Sequence, residues 1–204
     1  MKGKPHWNTR MIAVHTTDEP RAHRAAEPRR VRGYTILELM LAIGIVGVIA
    51  GFAVPSFLST VRINRTVSAN NDLVSAMALA RSEAIKRGSR VTVCPSPDQL
   101  SCNNSGLWEQ GWIVFVDPAN PGVADVGEEF LRVWLPLEGG TTIRAGGAFA
   151  NFVSFIASGE TRGGAGNTDS FSVCDQRAVA ADGRTITVGL IGYAKTAKGA
   201  LACP

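Results

Sequence analysis

The sequence predicts an α+β fold in which one long N-terminal helix packs on an antiparallel β-sheet domain. Residues 39–61 contain no charged side chain, and this run is long enough for a helix that crosses a membrane. Residues 63–85 place apolar side chains three and four positions apart, as in a helix with one buried face. From residue 89 onward, short β-type runs alternate with turn signals. One helix followed by a run of strands is typical of the α+β class.

Residues 1–33 form a polar segment with several Arg and Pro residues, and no apolar run precedes residue 33. The segment therefore differs from an ordinary secretory signal peptide, and we expect it to be a leader. Translation from Met11 is an alternative. The domains predicted after the leader are a hydrophobic transmembrane and assembly helix, the amphipathic half of the same helix, and a β-rich globular domain, at 34–61, 62–88 and 89–204.

Two residues are expected to shape the long helix. Pro55 lacks a backbone donor, so it predicts a kink or local unwinding. Gly88 follows the last apolar position and predicts the C-cap.

The β-rich part contains seven candidate strands, separated by turn-forming segments at 117–122, 137–140 and 158–167. The candidate strands are residues 90–94, 111–117, 129–135, 141–145, 151–156, 169–174 and 183–194.

The positive charge of the chain is concentrated in the leader. The whole chain of 204 residues has a formal net charge of +4, with 21 basic and 17 acidic residues. Residues 1–33 hold eight of the basic and three of the acidic residues, so 13 basic and 14 acidic residues remain, a net of −1. A chain that begins after Gly33 is therefore not basic, and the high overall charge is weak support for nucleic-acid binding.

The residue types argue against an enzyme and predict neither a cofactor nor a metal site. His6, His15 and His23 all lie in the leader, so a processed chain has no histidine to serve as a general base or metal ligand. The acidic residues between the second and third candidate strands lack the alternating spacing of a calcium loop, which favours a solvated hairpin; they are Asp117, Asp125, Glu128 and Glu129. A membrane-tethered periplasmic enzyme is the remaining alternative of a different class.

Four cysteines lie in the β-rich part, and they permit three pairings. The only basic cluster precedes the apolar run, so the leader is expected in the cytoplasm and the domain in an oxidising space where disulfides persist. Cys94–Cys102 would close a short loop, and Cys174–Cys203 would tie the C-terminal segment to a strand. We predict these two pairs.

The stretch RGYTILE at 32–38, followed by a charge-free helix, resembles the N-terminus of type IV prepilins and type II secretion pseudopilins. The resemblance implies a type IV pilin-like fold. It also implies that a membrane prepilin peptidase cuts after Gly33 and methylates the new N-terminus at Tyr34, where Phe is usual. Glu38 is implied to recognise the neighbouring subunit during assembly. A carboxylate inside a bilayer is tolerable beside a positive partner, and the amine of another subunit is one.

The β-rich part resembles the FimT/GspH minor pilins, and the FimT-like branch more closely. The resemblance covers about residues 29 to 203 and rests on CPSPDQLSC at 94–102, GLWEQGWIVFVD at 106–117 and FSVC at 171–174. It implies a minor pilin of a type IV pilus that acts in assembly, with a single span in the bacterial inner membrane and a periplasmic domain. The nearest alternative is a GspH-like minor pseudopilin at the tip of a type II secretion system.

Some FimT-like proteins are implied to bind DNA through a G-R-x-R loop, and GYAK at 192–195 stands at the corresponding place. A small positive patch of Arg184, Lys195 and Lys198, with Arg177 and an aromatic platform from Tyr193, would bind double-stranded DNA weakly and without sequence preference. A solvated tail with ordinary lysines is the alternative, because Lys lacks the bidentate geometry of Arg.

Overall fold

The computed structural model describes residues 33–119 and 121–204. The predicted leader, including its histidines, lies outside these residues except for Gly33. The chain divides into two compact units at residue 45, with Val46–Pro204 as the larger.

A single helix, α1, spans Ile36–Arg87. It is continuous through Pro55, so the helix does not unwind there, and the alternative of a kink stays a prediction. Gly88 follows the last helical residue with a φ of 64°, which is the left-handed conformation of a helix C-cap.

The two halves of α1 have different surroundings. Apolar side chains up to Leu58 are exposed, and this half is long and apolar enough to cross a membrane by length and composition. The second half buries one stripe of mostly small residues, which lets the sheets approach the helix closely: Thr66, Ala69, Asn70, Leu73, Ala76, Met77, Ala80 and Ala84.

The β-rich part forms two antiparallel sheets. The first contains β1 (Val91–Pro95), β2 (Trp112–Val116), β3 (Phe130–Trp134), β5 (Val153–Phe155) and β6 (Thr161–Gly163), in the order β3-β2-β1-β5-β6. The second contains β4 (Thr142–Ala145), β7 (Asp169–Cys174), β8 (Arg184–Val188) and β9 (Ala194–Lys198), in the order β4-β7-β8-β9.

One hydrophobic core joins α1 to both sheets. Its centre is aromatic: the rings of Trp108 and Phe171 meet edge to face with centroids 5.0 Å apart, and Phe149 stacks on Phe171 at 5.8 Å. A second, smaller cluster of Cys94, Ile113 and Phe115 lies on the other face of the first sheet. Both faces of β1 and β2 are therefore covered.

The predicted strands differ from the structure in three respects. The domain has two sheets where the sequence suggested one. The predicted strand at 183–194 ends at Val188, because residues 189–193 form the turn to β9. β9 lies beyond the predicted strands except for Ala194, and β6 lies within a segment predicted to be a turn.

Candidate assembly and ligand sites

The first turn of α1 carries the predicted assembly carboxylate. Thr35 precedes the helix, and its Oγ1 accepts a hydrogen bond from the backbone N–H of Glu38 at 3.2 Å. This is the contact that an N-cap threonine makes to the third helical residue. Glu38 is exposed and lies at the positive end of the helix dipole, where a negative charge is favoured.

The predicted processing site lies immediately before this cap. Gly33 and Tyr34 are outside the helix and exposed, with 86% of the Tyr34 surface accessible. The peptide bond between them is therefore not protected by helical hydrogen bonds, as a peptidase substrate requires.

The apolar part of α1 exposes its large side chains in each of the two compact units. Its large side chains are about half exposed or more at nearly every position, including Phe52 at 79% and Phe57 at 68%. A soluble monomer rarely exposes so much contiguous apolar area, so this surface is suited to lipid or to other apolar helices.

The structure contains two disulfides, and they join the predicted pairs. Cys94 is bonded to Cys102 with the Cα atoms 5.5 Å apart, and Cys174 to Cys203 with the Cα atoms 5.8 Å apart. The first closes a loop at the end of β1, and the second fixes the C-terminal segment beside β7.

Asp98 organises the loop closed by the first disulfide. Its Oδ1 accepts hydrogen bonds from the backbone N–H groups of Leu100 at 3.0 Å and Ser101 at 2.9 Å, and its Oδ2 accepts one from the Ser101 hydroxyl at 2.6 Å. The hydroxyl and amide donors hold the pKa of this carboxyl well below its usual range. Sequence reasoning missed Asp98. The signal that could have found it is the tendency of an aspartate side chain to accept a hydrogen bond from the backbone N–H two residues further on, which forms a turn.

The predicted solvated hairpin of acidic residues is wrong for Asp117. This side chain is fully buried, and its Oδ2 accepts hydrogen bonds from the Thr92 hydroxyl at 2.6 Å and the Gly122 N–H at 2.9 Å. Burial raises the pKa of Glu128, and the neighbouring charges of Asp117 and Asp125 raise it further. The part of the chain that the structure describes has no group of three or more His, Cys, Asp or Glu residues placed to hold a metal ion.

Glu129 is exposed, in agreement with the predicted solvated hairpin, and it also ties the end of the helix to the domain. Its two oxygens accept hydrogen bonds from the Arg87 guanidinium at 2.6 and 3.0 Å. The Arg87 Nε donates to Glu83 at 2.6 Å, so one guanidinium links two carboxylates. The ion pairs with Glu129 and Glu83 raise the pKa of Arg87.

The predicted DNA-binding residues do not form one patch. Arg184 of β8 lies directly opposite Lys198 of β9, whereas Lys195 lies opposite Thr187. Because side chains alternate between the two faces of a sheet, Lys195 is on the face opposite to that of Arg184 and Lys198. Tyr193 is in the turn before β9 and is 64% exposed.

Arg177 is not available for a phosphate contact. Its guanidinium donates to Asp175 at 2.7 Å and to Asp182 at 2.9 Å. These two carboxylates, Asp175 first, raise the pKa of Arg177. The arginine therefore fixes the loop between β7 and β8.

Two family models match the chain. The model described as type II transport protein GspH matches residues 69–192, and the model described as the prokaryotic N-terminal methylation motif matches residues 28–54. The second match contains Gly33, Tyr34 and Glu38.

The chain is also similar to known pilin proteins. It is 37% identical over 99 residues to the pilin-like protein PilA1 of Thermus thermophilus, and the match covers 48% of this chain and 56% of that relative. The chain thus matches little more than half the length of this curated relative.

Two crystal forms of the type IV minor pilin FimU of Pseudomonas aeruginosa have the same fold. Their TM-scores are 0.56 and 0.53 at 19% identity, and the alignments cover 69% and 67% of this chain and 96% and 98% of FimU. These structures place the chain in the type IV pilin fold. Since the GspH model matches well over half of the sequence, the chain belongs to the GspH family of minor pilins and pseudopilins.

Proposed function

We propose that the protein is a minor pilin of a type IV pilus, held in the bacterial inner membrane before assembly and incorporated through lateral packing of α1. Pilins and pseudopilins are structural, non-enzymatic proteins, and minor pilins associate with other pilins in pilus or pseudopilus assemblies. The observation that carries the proposal is the exposed apolar half of α1 with Glu38 in its first turn.

The charge of Glu38 gives this packing a defined register. A carboxylate in an apolar helix bundle is costly unless it meets a cation, and the N-terminal amine of a processed neighbour supplies one. Every other side chain from residue 34 to residue 61 is uncharged, so apolar contact alone would permit many axial positions. One charge pair selects a single position.

Processing by a prepilin peptidase is part of the same proposal. Cleavage after Gly33 removes the basic leader and creates the amine at Tyr34 that the register requires. The match to the N-terminal methylation motif supports it.

Expression of the full chain in a piliated host tests the proposal. The wild type should be found in the sheared filament fraction, and Glu38→Leu should be processed but remain with the cell membrane. Glu83→Gln, an acid in the amphipathic half of the same helix, is the matched control and should enter filaments. Equal amounts of wild type and Glu38→Leu in the filaments would contradict the proposal. Co-purification with secretion-system components instead of pilus components would support the type II secretion alternative.

We also propose a narrower second role: weak DNA contact at the turn before β9, which contributes to transformation. The supporting observation is that exposed Tyr193 and exposed Lys195 are two residues apart, with no carboxylate within ion-pair distance of Lys195 in residues 33–119 and 121–204. An aromatic ring and one cation can bind a base and a phosphate. A gel shift of the full chain in detergent should weaken on Lys195→Gln, and no shift at low salt would remove this role.

A further inference from the structure

Three cations lie at the end of the domain from which the apolar half of α1 extends: Arg62, Arg184 and Lys198. We call them the basic end. Arg62 is the first charged residue after the charge-free run that ends at residue 61. It precedes buried Thr66, Ala69 and Leu73 by 4, 7 and 11 positions, so it lies on the helix face that packs against the sheets.

The register of β9 places Lys198 near this end of the helix. Ala194 lines a groove with Met77 and Ala78, whereas Thr196 contacts the side chain of Asn70 through a hydrogen bond of 3.5 Å. β9 therefore runs antiparallel to α1, toward lower helix numbers. From Thr196 to Lys198 the strand advances by about 7 Å, which is the rise of roughly four residues along a helix.

Lys198 is thus level with about Thr66, one helical turn from Arg62. Arg184 is the direct cross-strand partner of Lys198. The long side chains of lysine and arginine can extend by several ångströms to keep their charge in a polar layer.

The cations of the basic end are not neutralised by the domain. The ion pairs in the described part of the chain are formed by other basic residues: Lys86, Arg87, Arg144, Arg162 and Arg177. Within residues 33–119 and 121–204, no carboxylate is within ion-pair distance of Arg62, Arg184 or Lys198. The acids of the loop before β8, Asp175 and Asp182, are both bound to Arg177.

We propose that the basic end binds the phosphate groups of acidic phospholipids at the surface of the bilayer that holds the apolar half of α1. This inference rests on the membrane anchoring in the proposed function. The headgroup layer on each side of a bilayer is about 5–8 Å thick, which matches the separation of one helical turn between Arg62 and Lys198. Lipid is favoured over DNA here because a bilayer containing the anchor occupies the space that a duplex would need.

The experiment is a titration of the full chain in detergent with phosphatidylglycerol or phosphatidylcholine, followed by native mass spectrometry. The wild type should bind phosphatidylglycerol more tightly. Lys198→Gln and Arg184→Gln should each weaken this binding about fivefold, and the triple variant with Arg62→Gln should abolish the preference for the acidic lipid. Lys86→Gln is the control, since it removes an exposed lysine from the last turn of α1, at the other end of the helix from Arg62, and it should bind as the wild type does.

Exchange of backbone amides in nanodiscs gives a second readout. The amides of β9 should exchange more slowly in phosphatidylglycerol than in phosphatidylcholine discs, and high salt should remove the difference. Equal binding of the two lipids, or equal losses from Lys86→Gln and Lys198→Gln, would overturn the inference. The inference would also be overturned if the triple variant kept its preference for the acidic lipid and lost its DNA binding.

The two proposals fail in different ways. A chain that does not incorporate into nanodiscs of either lipid contradicts the membrane anchor itself. A chain that incorporates equally and shows no dependence on lipid charge contradicts only the role of the basic end.

Discussion

The hydroxyl of Thr35 accepts a hydrogen bond from the backbone N–H of Glu38 at 3.2 Å, so the residue just before the helix fixes the first turn, in which the assembly carboxylate lies. The side chain of Glu38 is left free by this arrangement, because the contact uses its backbone. A cap and an intermolecular contact can therefore operate at the same residue.

Loss of this cap should impair assembly without preventing membrane insertion. Thr35→Ala should destabilise the first turn by about 1 kcal/mol and reduce the amount of chain in sheared filaments. Thr35→Ser should restore it. Thr60→Ala is the control, because the Thr60 hydroxyl donates to a backbone carbonyl within the helix and caps nothing. A filament yield unchanged by Thr35→Ala would contradict the prediction.

Processing should depend on Gly33. After co-expression with a prepilin peptidase, mass spectrometry should show the wild-type chain beginning at methylated Tyr34, and Gly33→Leu should retain the leader. Gly44→Ala should be cleaved normally, since Gly44 lies inside α1 with no atom close to the position of an added Cβ. An intact leader on the wild-type chain would refute this prediction.

The two disulfides should differ in their contribution to stability. Cys94–Cys102 and Cys174–Cys203 have sequence separations of 8 and 29. Loop-closure entropy then predicts about 2.5 kcal/mol for the first and about 3.5 kcal/mol for the second. Urea unfolding of the two double Cys→Ala variants should show the larger loss for Cys174/Cys203. The reverse order would show that contacts in the loop of Cys94 outweigh chain entropy.

Asp98 should make the loop of the first disulfide sensitive to acid. Its folded-state pKa is lower than that of the unfolded chain, so its stabilisation is present above about pH 3.9 and is lost as the pH falls below that value. Asp98→Asn should lower the melting temperature at pH 7, and it should lower it less near pH 2, where part of the ionic contribution has been lost. Asp72→Asn, outside this loop, is the control. An equal deficit at both pH values would contradict the ionic origin of the effect.

Glu128 should oppose stability at neutral pH. Its folded-state pKa is raised by burial and by Asp117 and Asp125, so its stabilising contribution exists below about pH 4.3 and is lost as the pH rises through the folded-state value. Glu128→Gln should raise the melting temperature at pH 7 and have little effect at pH 4. The new amide keeps an oxygen for the Asp125 N–H, which donates to Glu128 at 3.0 Å. Exposed Glu138→Gln is the control and should change neither value.

The helix and most strands could be predicted from the sequence because their signals are local. The charge-free run and the apolar period of α1 need no knowledge of distant residues, and six strands coincide with predicted runs to within a few positions. β6 and β9 carry no such signal. Residues 161–163 lie among glycines, and β9 is an exposed edge strand of sequence AKTAK, so pairing with β5 and β8 defines them.

The candidate sites divide in the same way, into those with a local sequence signal and those that depend on strand pairing. Gly33, Tyr34 and Glu38 belong to one linear motif and could be recognised without a structure. The grouping of Arg184 with Lys198, and the exclusion of Lys195, required the register of β9. Lys195 and Lys198 are three positions apart, which already indicates opposite faces once the segment is known to be a strand.

The buried stripe of α1 from Thr66 to Ala84 has a mechanical consequence. It extends along the helix for about 27 Å and lies parallel to any tension transmitted from the apolar end. Such tension acts as a shear force on the interface between α1 and the sheets. All contacts along the stripe then resist the force together and do not separate one after another. The small residues that allow close packing of the sheets therefore also make it difficult for a pulling force to separate the sheets from the helix.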